Sequence, residues 1–339
     1  MRLIKTEDAV GHVLCHDMTQ IIKDQYKDAR FRKGHVVTEE DIPVLLSMGK
    51  EHLYVWEMTS GMVHENDAAE RLLALCGQEN MIRSGVKEGK IELKAACDGV
   101  FLVDSARLVA VNSQDEVMIA TRKGGTAVCE GDKLAGMRVI PLIIEEEKLR
   151  KAEQAAGDKP LLSLKPYVRK TACIVATGGE VKKGLIKDTF TPVVIDKLKT
   201  YGIETLEVVY SGDGVENVRD AVLTMREKKP DMILCTGGMS VDPDDNTPGG
   251  IKAAGANIIA YGAPVLPGAM FLLGYFDDGM PVMGLPGCVM YAGATVFDLV
   301  LPKIAADVPV TRADLAALGE GGLCLGCKPC HYPICPFGK

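Results

Sequence analysis

The sequence predicts an α/β fold: a mainly parallel sheet with helices on both faces over residues 165–308, behind an N-terminal α+β and β-rich region. Three observations predict it. After residue 165, apolar runs too short for helices alternate with amphipathic stretches of helical period, the pattern of strands joined by crossover helices. Two of those runs end in the same Thr-Gly-Gly. Over residues 90–144 the runs are shorter and are split by Gly, Asn and Asp turns, as in a small β-rich unit.

The elements follow in order. Residues 1–58 read as strand, loop, helix and strand: Thr38-Glu39-Glu40-Asp41 caps a short helix beginning at Ile42, Gly49 stops it, and Leu53-Tyr54-Val55-Trp56 is a strand. Residues 64–76 are a helix capped by Asn66 or Asp67, with Ala69, Leu72, Leu73 and Cys76 on one face. Val100–Val103, Leu108–Val111 and Glu116–Ala120 read as strands, and Gly131–Gly136 suggests a barrel-sandwich-like unit. Glu145–Lys159 is a charged, Ala-rich helix and linker, so a boundary is placed near residue 160. Four segments result: 1–62, 63–158, 165–308 and a cysteine-rich tail, 309–339.

Within the third segment, Ala172–Ala176, Thr205–Tyr210, Met232–Cys235 and Pro281–Met283 read as strands. Pro192 opens one helix, with Ile195 and Leu198 inward. Asp213 caps another, with Glu216 three residues on, and Val215, Val218, Val222 and Met225 form its apolar face.

Composition limits the function. The chain has 339 residues, 47% hydrophobic and 25% charged, with net charge −7. An acidic balance argues against nucleic acid as partner, which needs a basic face. Met1–Val10 is too charged for a signal peptide. The longest uncharged stretch, Ala253–Phe276, is interrupted by Pro264, Pro267 and several glycines, so it reads as buried core and no membrane partner is expected. Eleven cysteines, an odd number, fit a reducing compartment and a cytoplasmic location.

The chemistry sits at strand ends. Thr177-Gly178-Gly179-Glu180 and Thr236-Gly237-Gly238-Met239-Ser240 each follow a buried strand. In an open α/β sheet, ligands bind outside the carboxyl ends of the strands, and paired glycines there bring backbone N–H groups up to an anion. A third turn, Gly284-Leu285-Pro286-Gly287-Cys288, follows the last strand. Asp242, Asp244 and Asp245 follow the second loop and Asp188 follows the first. Such carboxylates would repel a phosphate unless a hard cation such as Mg²⁺ lay between them.

Thr236–Val241 with Asp245 resembles the signature loop of molybdopterin-binding domains, shared by molybdenum insertases of the gephyrin type and related adenylyltransferases. Gly178-Gly179-Glu180 with Asp188 resembles the family's first motif; Pro267-Gly268 and Gly284–Gly287 resemble its last two, in the order and spacing of the insertases. The resemblance covers residues 165–305. It implies that the domain binds molybdopterin or its adenylate, and that the protein inserts molybdate with release of AMP. Asp245 and Asp188 would then act at Mg²⁺ and the pyrophosphate, Thr236, Gly237, Gly238 and Ser240 at the terminal phosphate, and Pro286 and Gly287 at the molybdate end. Thr177, Gly178, Gly179, Glu180 and Gly284 would complete the cofactor site. The sequence departs from the insertases at Cys288-Val289, where they usually carry Asn-Pro, and at Ala269-Met270, where a lysine is usual. Those departures favour an alternative, a non-catalytic carrier of the finished cofactor that serves an iron–sulfur molybdoenzyme. A nucleotide-processing relative of the same fold is a third reading. A homo-oligomer, and a molybdoenzyme or adenylyltransferase as protein partner, are expected.

The tail carries Cys324, Cys327, Cys330 and Cys335, spaced C-x₂-C-x₂-C-x₄-C-P. Bacterial ferredoxins use C-x₂-C-x₂-C-x₃-C-P. Four thiolates so close suit an iron–sulfur cluster or a tetrahedral Zn²⁺.

Overall fold

The computed structural model describes residues 2–22, 26–55, 61–240, 242 and 245–339. It divides into two compact units. The first comprises residues 1–96, 103–124 and 131–163, and the second 97–102, 125–130 and 164–339. Trp56, Asp244 and the side chain of Glu180 lie outside the described residues. Among the described residues, no helix is long and apolar enough to cross a membrane.

The first unit opens with antiparallel strands Arg2–Lys5 and His52–Val55 around a core that includes Leu14, Leu45 and Leu53. Between them lie the helix Asp41–Ser47 and an antiparallel pair, Met18–Ile22 and Tyr26–Phe31, that was not expected from the sequence. Its apolar residues do not alternate with polar ones, so it lacks the period by which strands are recognised. The helix Glu65–Cys76 buries Ala69, Leu72, Leu73 and Cys76 as expected. Its cap, however, is His64, whose ring accepts from the Asn66 amide, not Asn66 or Asp67. In place of a barrel-sandwich, four antiparallel strands form one sheet, ordered Met81–Arg83, Ile91–Ala95, Lys133–Val139 and Val117–Thr121. Leu108–Val111 is helical, within Ser105–Asn112. The carboxylate of Asp104 accepts from the Arg107 amide and starts that helix. A four-residue apolar run fits either period, and here the cap decides.

The second unit contains the α/β domain. Its strands are β1 (Thr171–Thr177), β2 (Glu204–Ser211), β3 (Met232–Thr236), β4 (Asn257–Tyr261), β5 (Leu272–Tyr275) and β6 (Pro281–Leu285). Its main helices are α1 (Phe190–Lys199), α2 (Val215–Glu227), α3 (Thr247–Ala253) and α4 (Val296–Ala305). The sheet order is β2-β1-β3-β6-β5-β4. The pairs β2-β1, β1-β3 and β3-β6 are parallel, while β6-β5 and β5-β4 are antiparallel. The last two strands come from the uncharged stretch expected only to be core.

Successive side chains of a strand point to opposite faces, and the packing follows that alternation. Ala172, Ile174, Met232 and Leu234 pack with Val194 and Leu198 of α1 and with Val296, Val300 and Leu301 of α4. Cys173, Val175, Ile233 and Cys235 pack on the other face with Val218, Val222 and Met225 of α2 and Ile251 of α3. Helices therefore cover both faces, which is why these strands read as continuous apolar runs.

Candidate functional site

The chain leaves β1, returns as β2 on one side of it, then crosses to β3 on the other. Neighbouring connections therefore diverge between β1 and β3, the topological switch point at which α/β sheets open a crevice for ligands. The strand ends meet there in register: Ala176 pairs with Thr236, and Thr236 with Leu285. All three expected turns thus leave adjacent strands from one rim.

The first two turns are tied together. The Thr177 hydroxyl donates to the Thr236 carbonyl at 3.0 Å. It lies 3.1 Å from the Thr247 hydroxyl, which donates to the Gly237 carbonyl at 2.9 Å. Thr177 and Thr236 are buried, and the Thr177 hydroxyl joins the two strand ends. Glycine is required in the second turn. Gly237 and Gly238 have φ of +80° and +56°. A Cβ on Gly237 would strike the Thr177 carbonyl oxygen, and one on Gly238 would stand 2.7 Å from the Thr247 hydroxyl. Thr247 is the residue that sequence reasoning missed. Its signal was its position at the start of a helix directly after the second loop. Replacing it by valine keeps the shape but strands the Gly237 carbonyl, and is expected to cost about 1–3 kcal/mol. Thermal denaturation of Thr247→Val reads this as a lower melting temperature.

The amide of Gly178 donates to the Ser211 carbonyl at 3.3 Å. The amide of Gly179 donates to Asp213 Oδ2 at 3.0 Å. Asp213 was expected to cap α2, but the residue at that cap is Gly214, with no side-chain bond. Its carboxylate is held instead by the first glycine turn, which shows that amide directed at an anion. Gly284 is buried within β6, where a Cβ would stand 2.5 Å from Met239 Sδ. It therefore makes room for packing inside the sheet and does not line the rim. Pro286 is buried, and Gly287 is exposed with open space before it. The third turn is drawn to the first by α1: the Thr189 hydroxyl, just before α1, donates to Met290 Sδ at 3.1 Å.

Both expected carboxylates are fixed by backbone. Asp245 Oδ2 accepts from the Ser240 amide at 3.0 Å, and its own amide donates to the Asp242 carbonyl at 2.9 Å. The Tyr261 hydroxyl closes the same loop by donating to the Met239 carbonyl at 2.9 Å. Asp188 Oδ1 accepts from the amides of Phe190 and Thr191 at 2.8 and 3.0 Å, at the start of α1. Asp188 Oδ2 is buried without a hydrogen-bond partner among the described residues. Burial pushes this carboxyl up, but the hydrogen-bonding groups of Thr191, Phe190 and Tyr210 outweigh it and hold it below its ordinary value of 3.8. A depressed folded pKa adds stability above the unfolded value, and that contribution is lost as pH falls through the folded one. Acid unfolding should therefore deepen below pH 3.8 in the native chain, and Asp188→Asn should flatten that limb in a pH series of denaturation curves. Lys182, Lys183 and Lys187, which follow the first turn, are exposed.

Residues 173–306 match the family described as "Probable molybdopterin binding domain". This segment is a molybdopterin-binding family domain. The matched stretch is less than half of the chain, and residues 3–57 match a family described only as a domain of unknown function. A CinA-like protein of Mycobacterium tuberculosis is 33% identical over 76 residues, 22% of this chain and 18% of the relative. Another, from Petrotoga mobilis, is 32% identical over 76 residues, 22% of this chain and 19% of that one. The match thus spans under a fifth of either relative's length. Among solved structures, CinA of Thermoplasma acidophilum is 18% identical, covers 40% of this chain and 98% of its own, and has a TM-score of 0.35. The molybdopterin biosynthesis enzyme MoaB of Thermus is 16% identical, covers 42% and 98%, and scores 0.36. A molybdenum cofactor biosynthesis protein of Pyrococcus furiosus is 13% identical, covers 93% and 64%, and scores 0.27. Among the described residues, no group of three or more His, Cys, Asp or Glu side chains is already placed to hold a metal ion.

Proposed function

We propose that the molybdopterin-binding domain takes molybdopterin or its adenylate at the rim of β1, β3 and β6, and that the protein inserts molybdate with release of AMP in molybdenum cofactor biosynthesis. The observation that supports this reading is the convergence of three glycine turns on one sheet edge at the switch point, with Asp188 and Asp245 beside them. Amides of the second turn would orient the pyrophosphate; in the first turn the Gly178 and Gly179 amides are taken by the Ser211 carbonyl and the Asp213 carboxylate. The exposed Gly287 leaves room for molybdate at the third turn.

Mg²⁺ fits the donor set. Among the described residues, Asp188 Oδ2 is buried without a hydrogen-bond partner and the carboxyl favours its charged form, and Asp245 is held at the second turn by the Ser240 amide. These two residues would hold the ion, which when bound neutralises and polarises the phosphates. The chain's own part is to fix both carboxylates by backbone amides, so that neither must reorganise when substrate arrives.

A second reading is a carrier that binds finished cofactor without turnover, supported by Ala269-Met270 and Cys288-Val289. Incubation with adenylated molybdopterin, molybdate and Mg²⁺ separates the two. Release of AMP is expected; tight pterin binding without AMP would establish the carrier. Absence of pterin binding would overturn both. A reducing, cytoplasmic setting suits the eleven free cysteines. A homo-oligomer and a protein partner in the same biosynthesis belong to this proposal.

A further inference from the structure

The cysteine tail is folded against the α/β domain. The Leu266 amide donates to the Gly322 carbonyl and the Cys324 amide to the Leu266 carbonyl, both at 2.8 Å. At the other end, Phe337 is buried in the core beside α4, and the Gly338 amide donates to the Gly321 carbonyl at 2.9 Å. Between these anchors the Tyr332 hydroxyl donates to the Asp298 carbonyl at 3.0 Å. Both ends of the segment that carries the four cysteines are therefore set by packing and backbone pairing before any metal arrives.

Cys324, Cys327, Cys330 and Cys335 all line one cavity of about 260 Å³. None is in a disulfide. The rest of the wall is mostly apolar: Ala294, Leu325, Tyr332, Ile334, Pro336 and Phe337. Cys330 lies against Gly293, where an added Cβ would stand 2.8 Å from its sulfur. That glycine lies between the turn that follows β6 and helix α4.

We propose that these four cysteines ligate a cubane iron–sulfur cluster. Sequence and structure support the proposal separately. The spacing C-x₂-C-x₂-C-x₄-C-P differs from the ferredoxin run by one residue in the last gap. The four cysteines line one partly open volume whose other walls are mostly apolar. A four-thiolate zinc site has Zn–S bonds of about 2.3 Å, which draws the sulfurs around one ion and leaves no such volume. A cluster needs it. Binding would release the thiol protons, because the ligands are thiolates. His331 is exposed on the cavity wall and is a bystander to an all-sulfur ligand set. The inference does not depend on pterin binding, and its test contains no pterin.

The test is anaerobic reconstitution of the full chain with equal amounts of ferrous and ferric iron and with sulfide, followed by desalting and analysis for iron, acid-labile sulfide and zinc. Expected are about four irons and four sulfides per chain, with visible absorption that bleaches on reduction. Cys327→Ser with Cys330→Ser, both at exposed positions, should lose the cluster while keeping the native circular dichroism spectrum. Cys97→Ser, outside the tail, should retain it. One zinc per chain without iron would overturn the cluster, as would full iron retention in the double variant. Failure of the native chain to take up either metal would overturn the site itself.

Discussion

Replacing Asp245 by alanine is expected to cut AMP release by roughly 100-fold or more, the scale seen when one fixed electrostatic group is removed from a reacting centre. In the structure Asp245 receives the Ser240 amide at 3.0 Å, and in the proposed site its charge would also act at Mg²⁺. Alanine removes both. Asparagine keeps an acceptor for the Ser240 amide but removes the charge. If the loss arose from loop geometry alone, Asp245→Asn would restore turnover. If it arises from charge held near Mg²⁺ and phosphate, both variants fall together, and that is the expected result. Pterin affinity, followed by fluorescence, should change only a few-fold, because the proposed site rests mainly on the glycine turns and not on Asp245. Native rates of AMP release in either variant would remove Asp245 from the chemistry.

The second large effect is structural. Gly237→Ala is expected to cost about 3 kcal/mol, from a left-handed φ and from overpacking against a strand end that cannot retreat. For a domain of this size that corresponds to a melting temperature lower by roughly 10 °C. Gly237 has φ +80°, and its Cβ would meet both the carbonyl and the hydroxyl oxygen of Thr177. Gly255 separates the two costs. Its φ is +92°, but a Cβ there meets nothing within 4 Å. Gly255→Ala should therefore cost only about 1–2 kcal/mol, the conformational part alone. Equal melting temperatures in the two variants would show that the contact with Thr177 is unimportant. Pterin binding should be lost in Gly237→Ala and kept in Gly255→Ala, since only the first lies at the switch point.

Much of the α/β domain was legible because its central strands are buried on both faces and its turns need glycine. Ala172–Ala176 and Met232–Cys235 could be read as strands from apolarity and length, and Thr-Gly-Gly marked where each must stop. Helix faces such as Val218, Val222 and Met225 were visible from period alone. Strands β4 and β5 were not separable. Both lie in one uncharged, Gly- and Pro-rich stretch without charged residues to mark an outer face, and neither shows the polar–apolar alternation that marks a strand. Leu108–Val111 was read as a strand because four apolar residues fit either period; the carboxylate of Asp104 made it helical.

By itself, the sequence determined which segments must be buried, where they must turn, and which acidic and sulfur-bearing side chains accompany those turns. These are local matters of hydrophobic period, backbone freedom and residue chemistry. Only the tertiary structure decided the rest, because strand order is set by which faces bury one another and not by neighbours in sequence. It placed β1 beside β3, gave the Asp213 carboxylate to the Gly179 amide in place of its own helix, buried Gly284 under Met239, and made Thr247 the link between two loops.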